Sequence, residues 1–110
     1  MMRRHGAPEG DVLTVQGNLA STYNQLGRLE DASRIEKDVY SALLKFNGEE
    51  HRDTLMAACN YASSLNGLQR FEEAKSVLRK MMPVARRVLG VTYELTLRMK
   101  WNYARALYTD

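Results

Sequence analysis

The chain has 110 residues, 45% of them hydrophobic, so it is the size of one small domain and can build a core. Seven Gly and two Pro are too few for a linker-like or collagen-like chain, and a single cysteine, Cys59, leaves no internal disulfide and suits a reducing compartment such as the cytoplasm. The net charge of +3 does not by itself argue for nucleic acid, no uncharged apolar run of about 18 residues argues for a membrane span, and MMRRHGAPEG lacks the apolar stretch of a secretory signal.

A shift of 42 residues lays the chain on itself without a gap, and residues 11–52 against 53–94 share 11 identities. Among them are Asn18/Asn60, Ala20/Ala62, Asn24/Asn66, Arg28/Arg70, Ala32/Ala74 and Gly48/Gly90. The same shift carries 53–68 onto 95–110, pairing Thr54/Thr96, Leu55/Leu97, Asn60/Asn102, Tyr61/Tyr103 and Leu65/Leu107. The units are therefore 11–52, 53–94 and a half unit, 95–110, with 1–10 as the end of a preceding unit or a lead-in. The chain is expected to be a piece of a longer array; the alternative is that its end helices serve as atypical caps.

In chain order, the apolar spacing predicts a first helix over roughly 12–26, with Leu19, Tyr23 and Leu26 on one stripe. Gly27-Arg28 marks a tight turn. A second helix follows over 29–46, with Leu29, Ala32, Ile35, Val39, Leu43 and Phe46 in steps of three and four. Asn47-Gly48 closes it, where a left-handed residue is easiest with Gly or Asn. Asp53 or Thr54 is expected to cap the next helix, 54–67, and Gln69-Arg70 marks the second turn. The long helix from Phe71 ends at Gly90 and carries Pro83, which should kink it or re-aim Ala85–Leu89. A last helix covers 95–109. Nothing alternates with period two, so the fold is expected to be all-α: helical hairpins, brought close by Ala20/Ala62 and Ala32/Ala74.

Charge is uneven. Residues 1–69 carry seven Lys/Arg and nine Asp/Glu, while 70–105 carry nine Lys/Arg and three Glu. The basic half is either a solvated helix surface or a patch that attracts acidic peptides. A nucleic-acid reading is disfavoured by the acidic first half. Catalytic signals are missing: His5 and His51 lie in linkers, Cys59 has no local partner and reads as a packing residue, and no phosphate loop or nucleophile elbow occurs. The acidic groups Asp31 and Glu72-Glu73 recur where a helix dipole favours them. The chain is not expected to be an enzyme or to hold a metal or cofactor.

Asn60-Tyr61-Ala62-x-x-Leu65, Arg70-Phe71-Glu72-Glu73-Ala74 and Arg86-Arg87-Val88-Leu89-Gly90 resemble tetratricopeptide repeats, in the 42-residue form of kinesin light chains. Gly48-Glu49-Glu50-His51-Arg52-Asp53-Thr54 is similar to that family's linker, with Arg52 in place of its proline, and Gly90-Val91-Thr92-Tyr93-Glu94-Leu95-Thr96 departs further. The resemblance implies about two and a half hairpins stacked as a right-handed solenoid, whose first helices line a concave face. On that face it places Thr14, Gly17, Asn18, Ser21, Asn24 and Gln25, then Met56, Cys59, Asn60, Ser63 and Asn66, then Arg98, Trp101, Asn102, Arg105 and Tyr108. These positions recur in steps of three and four, so they also share a face by spacing alone.

Asn18, Asn60 and Asn102 would form an amide ladder along an extended peptide, each offering a donor and an acceptor. Alternatively, each amide bonds a neighbouring helix. Arg98 and Arg105 would select acidic groups, and Trp101 and Tyr108 an aromatic or apolar anchor, unless Trp101 instead meets a further helix. The expected function is binding of an extended, acidic peptide, with Ser63 and Asn66 contributing. A structural spacer or regulatory segment with an unused groove is the alternative. The partner is expected to be a protein or peptide rather than nucleic acid or membrane. The exposed last helix, with Leu97, Trp101, Tyr103 and Leu107, predicts marginal stability or end-to-end self-association.

Overall fold

The steps of three and four between apolar residues become four helices in the computed structural model, which describes residues 19, 20, 22, 23, 25–90 and 93–109. They are α1 (Leu29–Asn47), α2 (Arg52–Gly67), α3 (Phe71–Leu89) and α4 (Glu94–Thr109). Leu19, Ala20, Thr22, Tyr23 and Gln25 are helical as well, and no strand occurs among the described residues. The expected lead-in over 1–10 lies outside the described residues, as do Thr14, Gly17, Asn18, Ser21 and Asn24.

α2 is the centre of the packing, in contact with α1, α3 and α4, while α3 also packs on α4. The core joins Leu55, Ala58, Cys59, Ala62 and Leu65 of α2 to Leu78, Met81 and Ala85 of α3 and to Leu95, Met99 and Ala106 of α4. The side chains that α2 offers its neighbours include three alanines and a cysteine with no exposed surface or nearly none. Small side chains let backbones approach, and burying the larger Leu and Met residues between them stabilises the stack by roughly 25 cal/mol per Å² of apolar surface.

The turns repeat as faithfully as the helices. The amide of Arg28 donates to the carbonyl of Tyr23 and that of Arg70 to Leu65, both at 2.8 Å, the six-to-one bond of a Schellman helix end. The residue before each arginine takes a positive φ: 79° at Gly27 and 63° at Gln69. The second turn thus forces a side-chain-bearing residue into a conformation that glycine occupies in the first. The long helices close differently. Gly48 (φ 85°, ψ 169°) and Gly90 (φ 100°, ψ 156°) combine positive φ with extended ψ, a region essentially restricted to glycine. An asparagine would not serve there, although it suits the ordinary left-handed cap.

The expected cap of α2 is corrected. The helix begins at Arg52, so its N-cap is His51, whose Nδ1 accepts from the amide of Asp53 at 3.0 Å. Thr54 is buried instead, and its hydroxyl donates to the carbonyl of Leu43 at 3.2 Å, tying α2 to the end of α1. The equivalent hydroxyl, Thr96 Oγ1, is buried with no partner among the described residues. In register its acceptor would be the carbonyl of Ala85, two residues beyond Pro83. α3 itself carries Pro83 as one uninterrupted helix, with the ring on the exposed side.

The two unusual linker residues meet each other. Arg52 Nε donates to the Tyr93 hydroxyl at 3.1 Å, and its guanidinium lies 5.9 Å from the Tyr93 ring centroid. Glu50 of the same linker pairs with Arg87 of α3 at 2.9 Å. Arg70 grips Glu73 with two bonds of 2.9 and 2.8 Å, and Arg28 holds Asp31 at 2.7 Å, so the acidic first turns serve the arginine before each helix as well as the helix dipole.

Removing the strain at the second turn tests this account. Gln69→Gly should raise unfolding stability by about 1 kcal/mol in urea titrations, and Gly48→Ala should lower it by about 1–3 kcal/mol.

Candidate functional site

α2 and α4 are the first helices of consecutive units and lie side by side. Along α2 the half-buried residues Met56, Asn60, Ser63 and Gly67 fall on one face in steps of four, three and four. Their described counterparts 42 residues on are Arg98, Asn102 and Arg105. Two parallel rows therefore form one surface, with Asn60 and Ser63 on one helix and Arg98 and Arg105 on the next.

The side chains of Asn60 and Ser63 make no hydrogen bond to a described residue, and the Asn60 amide carries both a donor and an acceptor. Arg98 and Arg105 are exposed and form no ion pair with a described residue. The row is polar and positively charged, with no acidic residue in it.

The other predicted positions are placed differently. Asn66 is 1% exposed, and its Nδ2 donates to the main-chain carbonyl of Asn102 at 3.0 Å. It faces α4 rather than the open surface, so its expected ligand role is corrected to a helix–helix bond. Its Oδ1 is buried without a partner among the described residues. Asn102 is 7% exposed, and its Nδ2 points at Cys59 Sγ across 3.6 Å. The physical reason is close approach: the small Cys59 leaves room for the amide to turn inward between α2 and α4. The ladder of three amides thus has one accessible member among the described residues, Asn60, while Asn18 lies outside them. Cys59 is fully buried, as its packing role requires, and does not line the open face.

Trp101 and Tyr108 are 72% and 87% exposed. Their counterparts on α2 are Cys59 and Asn66, the two residues that α4 closes over. They therefore occupy the flank of α4 that faces away from α2, beside the groove row and not in it. Spacing alone assigned them to the same broad face because steps of three and four fit both flanks of one helix.

Burial also decides the chemistry. It pushes the Cys59 thiol above its ordinary value, partly offset by the charge of Arg98 and the amide of Asn102. Such a thiol stays protonated and is a poor nucleophile. Burial likewise raises the phenols of Tyr40 and Tyr61, whose rings sit 6.2 Å apart between α1 and α2, with Glu49 acting on the first and Glu73 on the second in the same sense. Among the described residues no three His, Cys, Asp or Glu side chains come together as metal ligands, and no helix is long and apolar enough to cross a membrane.

All three raised groups favour their neutral forms in the folded state. Their contribution to stability is whole below the ordinary values of 9.0 for Cys59 and 10.0 for the tyrosines, and is lost as pH rises through the folded values. Urea midpoints should therefore fall on going from neutral to strongly alkaline pH, and iodoacetamide should label Cys59 only under unfolding conditions.

A family model for the tetratricopeptide repeat matches residues 12–53 and again residues 54–92. No curated protein matches the sequence significantly.

Proposed function

The chain belongs to the tetratricopeptide repeat family, whose repeats generally mediate protein–protein interactions, and on that footing we propose that it binds an extended, acidic peptide across the adjoining rows of α2 and α4. The observation that carries this reading is the half-buried amide of Asn60, unbonded to any described residue, next to two cationic side chains without acidic partners among the described residues. A peptide main chain needs a donor and an acceptor together, and an amide supplies both. Arg98 and Arg105 lie seven residues apart, two turns along one face, so they meet carboxylates spaced along a ligand rather than one point charge. Ser63 adds a hydroxyl to the α2 row, one turn from Asn60. Asn102 acts beneath this surface, fixing α4 against α2. The 42-residue unit favours the kinesin-light-chain-like form of the repeat and assigns no motor partner.

A fluorescein-labelled Glu/Asp-rich peptide titrated against the chain tests the proposal. Asn60→Ala should weaken binding by about 2–10-fold, the worth of one neutral hydrogen bond. Arg98→Ala should weaken it by about 10-fold or more at low salt and by less at high salt, because exposed charges are screened. Unchanged affinity in both variants would instead assign the segment a spacer role with its groove unused.

A further inference from the structure

The two rows of the groove are offset along their helices, and two bonds set the offset. Asn102 of α4 points its amide at Cys59 Sγ and receives the Asn66 amide on its main-chain carbonyl, so it lies about midway between those two residues of α2. Short turns join α2 to α3 and α3 to α4, so α2 and α4 run parallel. One turn before Asn102, Arg98 therefore falls between Met56 and Asn60; one turn after it, Arg105 falls between Ser63 and Gly67. The buried Cys59 thiol, which feels the charge of Arg98, agrees with this level. The rows are not a face that the next unit covers. With α4 packed on α2, Met56 and Ser63, the counterparts of Arg98 and Arg105, remain only half-buried.

Spacing then specifies the shape of the ligand. Arg98 and Arg105 stand seven residues apart, which is about 10 Å along the helix axis. Two steps of a β-strand cover about 7 Å and fall short, while three cover about 10 Å but turn the two side chains to opposite sides. A polyproline-II chain advances about 9 Å per turn of three residues and brings residues i and i+3 to the same side. A helical ligand matches the distance with acids seven apart, but its main chain is bonded internally and offers nothing to the Asn60 amide. Polyproline II has no internal main-chain bonds, so its amides and carbonyls remain open to Asn60. At the Arg98 end the furrow meets Met56, whose half-buried side chain packs on the core and gives an adaptable apolar contact. Resting on the acidic-peptide reading above, we propose that the groove takes its ligand as a polyproline-II segment with acidic residues at i and i+3, and that Met56 selects an apolar residue next to the acid held by Arg98.

Peptides of one composition and permuted order test this by titration calorimetry. The cores are Leu-Glu-Pro-Pro-Glu and its reverse, Glu-Pro-Pro-Glu-Leu, each set in a Gly-Ser frame and capped at both ends so that the glutamates are the only charges. Their twins are Leu-Glu-Pro-Glu-Pro and Pro-Glu-Pro-Glu-Leu. The tighter-binding of the two directions should exceed its twin by at least about 5-fold at low salt, because both carboxylates then reach an arginine. Arg105→Ala should erase that preference. Met56→Ser should weaken the leucine peptide by about 5-fold and leave a version with alanine in place of leucine unchanged, with helicity unchanged by circular dichroism. The proposal is overturned if both peptides bind no better than their permuted twins, or if a helical peptide with glutamates seven apart binds more tightly than either. It is also overturned if Met56→Ser weakens the leucine and alanine versions alike. In these cases binding that still falls with Asn60→Ala and Arg98→Ala leaves the acidic-peptide reading standing. If no acidic peptide binds at all, that reading falls and this one with it.

Discussion

The close approach of α4 to α2 is the contact on which the rest of the molecule depends. It is possible because α2 presents Ala58, Cys59 and Ala62 where bulkier side chains would hold the helices apart. Two amides then lock the gap: Asn66 bonds the main chain of α4, and Asn102 reaches back to the Cys59 sulfur. A polar pair in a contact built from small apolar groups is sensitive to register, since sliding either helix by one turn would strand an amide without water. That sensitivity aligns the two rows from which the open surface is made.

The same contact separates residues with one job from residues with another. Asparagines at equivalent or neighbouring positions divide into Asn60, accessible and unbonded to described residues, and Asn66 and Asn102, spent on holding helices together. Arg98 and Arg105 stay at the surface, although the charge of Arg98 is still felt by the buried Cys59 thiol. Binding chemistry and packing chemistry thus sit within one helical turn of each other on α4, and a substitution at Asn102 would disturb the groove without touching a ligand.

Departures from strict repetition are where the chain acquires its own character. Arg52 and Tyr93 are each unusual for their linker position and stack on one another, so a change in one linker is answered in the next. Gln69 takes a conformation better suited to the glycine of the preceding unit. Thr96 keeps the residue type of Thr54 but not its bond, in the turn that follows Pro83. Each is a local cost carried by a frame whose other contacts repeat.

The sequence by itself determined the helices, their turns and the period of 42, because apolar spacing, turn residues and self-similarity are local or translational properties that need no coordinates. It also marked Ala62 and Ala74 as packing residues, since small residues recurring at equivalent repeat positions have little other use, but it left Cys59 on the concave row as well as in the packing. Only the tertiary structure decided which flank of each first helix is open. Steps of three and four describe a broad arc of a helix, and Cys59, Asn60 and Asn66 all fall within it. Whether an amide on that arc meets solvent or a neighbour depends on where the next helix lies, and that position is fixed by packing between residues some 40 apart in the chain. For the same reason Trp101 and Tyr108 read as groove residues in the sequence and stand on the far flank of α4 in space.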